Sequence, residues 1–321
     1  MIQRYDFAPL DGITKVVFRQ VYHRLFGGAD RYFLPFFSPT DQHILTKRDR
    51  RELDPAANAG LRVVPQVMTR RAPDFLWAAE LLEDMGYTEV NLNLGCPSGT
   101  VTAKGKGSGF LAKPEELERF FDEVFASVKL PVSVKTRLGV KEPEEFERLL
   151  EIYNRYPIAC LTIHPRVQKQ FYKGTVYRDW FAWAAERSRN PLCYNGDLVT
   201  VEDCGAFEAD FPAIDAVMIG RGAVADPALF RKLRGGTPAT RREIQTFTRT
   251  LYQSYQEFYG QVGPAAQRMK EVWFFLIHLF EGGERHHKRM RRLRTPAEYE
   301  AVEAAIFQEL PLRDHAEGAF G

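Results

Sequence analysis

The sequence predicts a (β/α)8 TIM barrel followed by a small C-terminal all-α helical domain. Three observations lead there. Strand-like and helix-like segments alternate as far as about residue 230, the pattern of a parallel sheet built from βα units. Eight strand-like segments are legible, the number that closes such a sheet into a barrel. After Leu233 the alternation stops and only helical spacing remains. A doubly wound open sheet is the competing architecture, and the strand count favours the barrel. The 321 residues accommodate a barrel of about 250 and a modest appendage.

The elements follow in order. A first strand ends at Phe7-Ala8-Pro9, and a helix with apolar Val17, Val21 and Leu25 comes next. Tyr32 to Leu34 is the second strand and Leu61 to Met68 the third. Pro73 to Met85 is a helix, with proline at an early position and Gly86 just past its end. Glu89 to Asn93 is the fourth strand, Pro114 opens another helix, and Pro131 to Arg137 is the fifth strand. Pro143 starts the next helix, and Cys160 to His164, Pro191 to Asn195 and Ile214 to Ile219 supply the last three strands. Residues 1–234 are therefore assigned to the barrel, 235–240 to a linker around Gly235-Gly236-Thr237-Pro238, and 241–321 to the helical domain. In that domain Thr240 precedes Glu243, and Thr295 precedes Glu298, by the three residues of a capping box. No solenoid repeat or low-complexity tract interrupts the chain.

Composition sets limits on function. A chain that is 45% hydrophobic and 13% aromatic supports a large core, which excludes general disorder. A net charge of +2 is no argument for nucleic acid; only the distribution of charge could make one. The four cysteines form no C-x-x-C pair and no Cys/His cluster with zinc spacing, so no metal is expected. There is no secretory h-region at the N-terminus and no apolar run long enough to span a bilayer. A cytoplasmic protein without a membrane partner is expected, and nothing implies an obligate protein partner.

Active-site groups of a barrel stand at the C-terminal ends of its strands and in the loops after them. Gln66 stands there on the third strand, and Asn93 and Cys96 after the fourth. Lys135 and Arg137 end the fifth, His164 and Arg166 the sixth, Asn195-Gly196-Asp197 follows the seventh, and Gly220-Arg221-Gly222 the eighth. Cys96 admits two readings, a nucleophile or acid near a cation, or a small buried hydrophobe. Cys160, Cys193 and Cys204 read as packing residues. The glycines after the last two strands suit a phosphate held by backbone N–H groups, or two ordinary turns. Lys104 to Gly109 lacks the order of a phosphate loop and reads as a flexible active-site loop, with Lys104 and Lys106 available to an anion. His164 has no second ligand at metal spacing and reads as a hydrogen-bonded histidine, with a cofactor contact open. The run Glu284 to Arg294 carries six Lys/Arg residues, among them Arg289, Arg291 and Arg292. It is either a solvated face or a contact for RNA phosphates, with Lys270 on the preceding helix as a further cation. Tyr172 and Trp180 are either core residues or stacking surfaces for bases.

Taken together, these segments resemble the tRNA-dihydrouridine synthase family. Ala8-Pro9-Leu10-Asp11-Gly12 matches the family's A-P-M-x-G except at Leu10. Asn93-Leu94-Gly95-Cys96-Pro97 matches N-x-G-C-P, and Pro131 to Gly139 matches P-V-[ST]-V-K-x-R-x-G. Asn195-Gly196-Asp197 resembles the N-G-[DE/N] element, and Asp215 to Ala223 follows D-x-V-M-I-G-R-G-A. The matches run in order from residue 8 to residue 223. The departure is His164-Pro165-Arg166 for the family's H-G-R, where proline removes an N–H and fixes φ.

The resemblance implies an FMN-dependent enzyme that uses NADPH to reduce uridine in RNA to 5,6-dihydrouridine. It implies hydride delivery from reduced flavin N5 to uracil C6, and a proton for C5 from Cys96. It further implies that Pro9 and Leu10 contact the isoalloxazine, and that Gln66, Lys135 and His164 bond its polar edge. Asn195, Gly196, Asp197, Gly220 and Arg221 would hold the phosphate, Asn93 would orient the uracil, and Arg137 and Arg166 would meet base or phosphate. The RNA is expected to be tRNA, with ribosomal RNA open. Two other readings remain: a flavin barrel acting on a free small molecule, and a relative that binds RNA without catalysis.

Overall fold

The computed structural model describes residues 2–318, so the last three residues assigned to the helical domain lie outside it. The chain runs β1 (Arg4–Phe7), α1 (Val16–Leu25), β2 (Arg31–Phe33), α2 (Lys47–Leu53), β3 (Val63–Val64), β4 (Gln66–Val67), α3 (Ala72–Asp84) and β5 (Val90–Leu94). It continues α4 (Gly99–Thr102), α5 (Pro114–Ser127), β6 (Val132–Gly139), α6 (Glu145–Tyr153), β7 (Leu161–Val167), α7 (Arg178–Arg187), β8 (Leu192–Tyr194), α8 (Val201–Asp210) and β9 (Ala216–Ile219). Short helices α9 (Arg221–Ala225) and α10 (Leu229–Leu233) lead to α11 (Arg241–Tyr259), α12 (Val262–Leu276), α13 (Glu284–Arg292) and α14 (Pro296–Glu309).

All strand pairings within the sheet are parallel, in the order β3-β2-β1-β9-β8-β7-β6-β5-β4. Nine strands replace the expected eight because the third divides at Pro65. Proline has no N–H for the ladder and a fixed φ, so the run bends there. β3 stays with β2 on one side while β4 turns to β5 on the other. The Pro65 carbonyl accepts from Asn91 N at 2.9 Å, which ties the bend to the opposite edge. The two short strands are thus halves of one stave, and their junction closes the barrel.

The capping boxes at Thr240 and Thr295 form, each hydroxyl accepting from the N3 backbone and each N3 glutamate reaching back. The tail packs against the barrel through an aromatic cluster. Phe247 of α11 meets Phe18, Tyr22 and Phe26 of α1 and the turn after it, with ring centroids 5.9, 6.3 and 5.5 Å away. A second tie lies at the mouth. Arg268 Nη1 of α12 donates to the Gly12 carbonyl at 3.2 Å and pairs with Glu271 at 2.7 Å. Gly12 has φ +88°, and a Cβ there would stand 3.1 Å from Glu271 Oε2, so glycine lets the loop after β1 approach α12.

Truncating Phe247 to alanine leaves a cavity where three rings converge. Its expected cost is about 3–5 kcal/mol, read as a lowered urea midpoint.

Candidate active site

The inward-facing positions at the C-terminal ends of the strands surround a cavity of about 880 Å³. Pleating turns alternate residues inward, so Asn91 and Asn93 of β5 and Lys135 and Arg137 of β6 stand on the barrel side. Register sets neighbours: Gln66 pairs with Asn91, Asn93 with Lys135, and Arg137 with His164. The cavity wall includes Gln66, Asn93, Cys96, Lys135, Arg137, His164 and Arg166. Pro9 and Leu10 come from the loop after β1, Asn195 to Asp197 from the loop after β8, and Gly220-Arg221 from the end of β9.

Asn93 shapes the cysteine loop. Its Oδ1 accepts from Gly95 N at 3.0 Å and from Cys96 N at 2.9 Å, and its Nδ2 donates to Gln66 Oε1 at 2.6 Å. Gln66 Nε2 donates onward to Asn91 Oδ1 at 2.8 Å, which fixes both amides against rotation. From the far side, Ser108 donates its hydroxyl and its N–H to the Cys96 carbonyl. Arg137 Nε donates to the Gly95 carbonyl at 2.8 Å. The segment read as a flexible active-site loop is instead a packed buttress. Gly107 has φ +56°, and a Cβ on it would lie 2.8 Å from the Cys96 carbonyl oxygen. Ser108, Phe110 and Leu111 beside it are buried. Only glycine permits this approach, so the glycines support the cysteine loop. Lys104 and Lys106 lie outside the cavity wall.

Cys96 is half-buried, while Cys160, Cys193 and Cys204 are buried. Burial pushes the Cys96 thiol above its ordinary pKa, against the lowering effects of a Ser98 backbone hydrogen bond and of Arg137 and Lys135. It therefore carries its proton at neutral pH. Lys135 lines the cavity, and among the described residues no hydrogen bond or ion pair reaches it. Burial, and then the Arg137 charge, lower it to about 7. His164 is held well below its ordinary pKa by burial and then by Arg137, Lys135, Arg166 and Arg221. Arg166 Nη1 lies 3.1 Å from His164 Nε2. A guanidinium only donates, so Nε2 accepts and the ring proton sits on Nδ1.

Two cations expected to meet substrate are engaged within the protein. Arg166 is buried, forms a paired contact with Asp197 at 2.9 and 2.5 Å, and donates to the Lys173 and Gly174 carbonyls. Arg137 also donates to the Val167 carbonyl at 3.1 Å. Asp197 takes Arg221 as well, at 2.7 Å. The Tyr172 ring lies 5.3 Å from the Arg137 guanidinium and 5.0 Å from that of Arg221, on the cavity wall. Trp180 is not on that wall; it packs on Trp183. Asn195 Nδ2 donates to the Met218 carbonyl at 2.8 Å, bridging the ends of β8 and β9. Lys270 and Arg291 line a second, smaller cavity beside the mouth. Arg289 and Arg292 lie exposed on α13, whose His286 and Met290 turn into the tail.

Sequence reasoning missed Pro35, Phe36, Phe274 and Phe275 on the cavity wall. The signal for the last two was present. Val272, Trp273 and Leu276 form the buried stripe of α12, and Phe274 and Phe275, off that stripe, are half-buried.

A parallel barrel that gathers a protonated thiol, a neutral histidine and an unpaired lysine at the C-terminal ends of its strands has the organisation of a barrel enzyme. The chain belongs to the dihydrouridine synthase family, whose model matches residues 6–310. It is 31% identical over 278 residues to the probable tRNA-dihydrouridine synthase 1 of Synechocystis sp., covering 83% of this chain and 76% of that one. It is also 31% identical to the tRNA-dihydrouridine(16) synthase of Ralstonia nicotianae over 241 residues, 73% of each chain. Among solved structures, morphinone reductase superposes with a TM-score of 0.52 at 16% identity, covering 76% of this chain and 88% of that one. That likeness establishes the barrel fold. No helix among the described residues is long and apolar enough to cross a membrane.

In the native protein, iodoacetamide is expected to label Cys96 alone, because the other thiols are buried. The rate is expected to rise with pH through a midpoint above the usual thiol value and to return to that value on unfolding. A native midpoint at or below the usual value would contradict the burial argument.

Proposed function

We propose that the protein reduces a uridine of tRNA to 5,6-dihydrouridine, with FMN as cofactor, NADPH as reductant and Cys96 as the proton donor to C5. The observation that carries this reading is Cys96: a thiol kept protonated by burial, on the wall of a cavity that also holds an unpaired lysine. Family membership and the printed names of the relatives supply the substrate class.

The residues present fit FMN. Lys135 is a half-buried cation that no hydrogen bond or ion pair reaches among the described residues, which suits the electron-rich edge of an isoalloxazine, and Gln66 and His164 Nδ1–H lie on the same wall. Pro9 and Leu10 offer an apolar face beside Gly220, where a Cβ would stand 3.1 Å from Ala8 Cβ. Gly196, Gly220 and Arg221 bring backbone and one guanidinium to the place assigned to the phosphate, while Asn195, whose N–H and side-chain amide donate to the Ile163 and Met218 carbonyls, braces the loop. Asp197 would be repelled by a phosphate; its part is to hold Arg166 and Arg221 in position. The chemistry FMN supplies when bound is a hydride for uracil C6, after reduction by NADPH.

The chain's own residues do the rest. The target base leaves its stack at a cost of a few kcal/mol and enters the cavity. Asn93, with one Nδ2–H beyond its bond to Gln66, is available to a uracil carbonyl and holds the cysteine loop at the same time. Cys96 Sγ gives its proton to C5, and burial keeps that proton in place across neutral pH. Arg137 anchors the loop and, with Tyr172, borders the substrate space. Residues 241–321 form the RNA-gripping part, with Arg289, Arg291 and Arg292 on the exposed face of α13 meeting phosphates.

Mapping the uridines that gain two mass units in RNA from cells with and without the gene tests the substrate. Loss at a tRNA position is the expected result. Loss in ribosomal RNA would move the substrate, and loss nowhere would return the protein to small-molecule reduction. Cys96→Ala is expected to retain FMN and its reduction by NADPH while dihydrouridine formation falls roughly 10²–10⁴-fold; normal product formation would remove Cys96 from the proposal.

FMN binding provides a pH test of Lys135. A bound acceptor raises the pKa of this lysine, so affinity is fully present below about 7 and is lost as pH rises above it. The ratio of dissociation constants, Lys135→Met over wild type, is expected to be largest at low pH. It should shrink by up to about tenfold per pH unit above the free lysine's pKa. A ratio independent of pH would remove Lys135 from the flavin edge.

A further inference from the structure

The loop after β7 carries an aromatic side chain that the fold leaves largely in solvent. Phe171 is 49% exposed, more than any other phenylalanine among the described residues, and lies on the wall of the large cavity. Its neighbour Tyr172 rests against the guanidinium groups of Arg137 and Arg221, but among the described residues no aromatic or cationic group meets the Phe171 ring. The Phe171 backbone is also unusual, with φ +53° and ψ −102°, a combination that bulky residues rarely adopt. The stems on both sides keep it there. Before it, the Val167 N–H donates to Gln170 Oε1 at 2.9 Å, and the Phe171 N–H donates to the Gln168 carbonyl at 3.0 Å. After it, Arg166 donates to the Lys173 and Gly174 carbonyls, and Gln170 Nε2 donates to the Thr175 carbonyl at 3.2 Å. The Tyr177 N–H closes the loop on the Pro165 carbonyl at 2.7 Å. A half-exposed ring on a strained residue gives the fold little apolar burial in return. A loop pinned at both stems does hold that ring in place before any ligand arrives, which lowers the ordering cost of binding.

We propose that Phe171 is a wedge: its ring takes the place of the target uridine in the RNA stack and packs on the base next to it. The inference rests on the RNA reading above and adds a residue to it. Three features argue for a base as the partner. A base that leaves its stack exposes the face of its neighbour, and an apolar ring inserted there replaces the lost contact. Phe171 lines the same cavity as Asn93 and Cys96, so a strand that delivers a uridine to those groups passes the ring. Lys173, two residues on, is exposed on that wall with no ion pair among the described residues, and suits the phosphate of the same strand. The strain at Phe171 thereby has a use: it presents an aromatic face where the stack is interrupted, which keeps the uridine from returning.

The test uses the holoenzyme and the tRNA transcript in which the modified uridine has been mapped. An abasic ribose is placed on either side of that uridine in turn. For wild type, one of the two substitutions is expected to weaken binding by about tenfold, the size of a lost base–aromatic stack. Phe171→Ala is expected to bind intact transcript about as weakly and to be indifferent to that same abasic position. Phe171→Trp, which keeps a flat ring, is expected to restore both the binding and the sensitivity to the abasic position. The salt slope of binding is expected to be unchanged in Phe171→Ala, because the ring neutralises no phosphate, and to fall by about one in Lys173→Met. FMN content and the rate of flavin reduction by NADPH are expected to be the same in Phe171→Ala as in wild type.

Wild type that binds intact and abasic transcripts equally overturns the wedge without any variant needing to fold. Full additivity of the abasic and Phe171→Ala losses also overturns it, since the base would then stack elsewhere. Slower flavin reduction in Phe171→Ala with transcript binding intact would assign the ring to the nicotinamide instead. Failure of the RNA reading is distinct: wild type would form no dihydrouridine in the intact transcript.

Discussion

The site depends on one chain of buried polar contacts through the inside of the barrel. Asp6 of β1 takes Arg31 in a paired contact at 2.9 and 2.8 Å, and Arg31 Nη1 reaches Glu89 at 2.8 Å. Glu89 accepts from Ser133 at 2.6 Å, and Ser133 accepts from Asn91 at 2.9 Å. Asn91 receives Gln66, Gln66 receives Asn93, and Asn93 receives the N–H groups of Gly95 and Cys96. Removing one partner from a buried charge pair costs about 3–5 kcal/mol, because the other charge is left unpaired in low dielectric. Each amide has a donor on one side and an acceptor on the other, so fixing the charged end fixes the orientation of every amide up to the cysteine. The relay connects five staves and leaves the reactive loop little freedom.

Above the relay the electrostatics reverse. Lys135, Arg137, Arg166 and Arg221 crowd the cavity around a neutral histidine, and Asp197 pairs with Arg166 and Arg221. Burial and mutual repulsion lower Lys135, and the same burial raises the Cys96 thiol. Such a cavity favours anionic or electron-rich ligands and keeps its acid protonated. Arg166 and Arg137 contribute to that field while their hydrogen bonds serve carbonyls and Asp197. A side chain can thus act on a ligand through its charge while its geometry belongs to the scaffold.

Two of the contacts between tail and barrel bear on this arrangement. The aromatic cluster around Phe247 supplies apolar area on the outside of the barrel, and Arg268 with Gly12 supplies register at the mouth. The second contact is small in area but places α12 on the rim, so its two off-stripe phenylalanines become part of the cavity wall.

Much of the architecture was legible in the sequence because its causes are local. Alternating βα periods, proline near helix starts and the Thr–Glu spacing at residues 240 and 295 each act within a few residues. Barrel geometry then carried strand-end residues to one cavity, since the C-terminal ends of parallel staves always share a face. The division of the third stave at Pro65 was not legible, because a proline's effect there depends on which neighbour each half pairs with. The buttress around Gly107 was read as a flexible loop for a similar reason: glycine permits close approach and mobility alike, and only the contact with Cys96 distinguishes them. Arg166 and Arg137 looked free for substrate because their partners lie far away in sequence or are backbone carbonyls. The sequence by itself determined the barrel, the helical tail and the strand-end positions that face the mouth, since periodicity and caps are short-range physics. The tertiary structure alone decided which of those groups remain unpaired, because pairing, burial and pKa depend on residues brought together from distant parts of the chain.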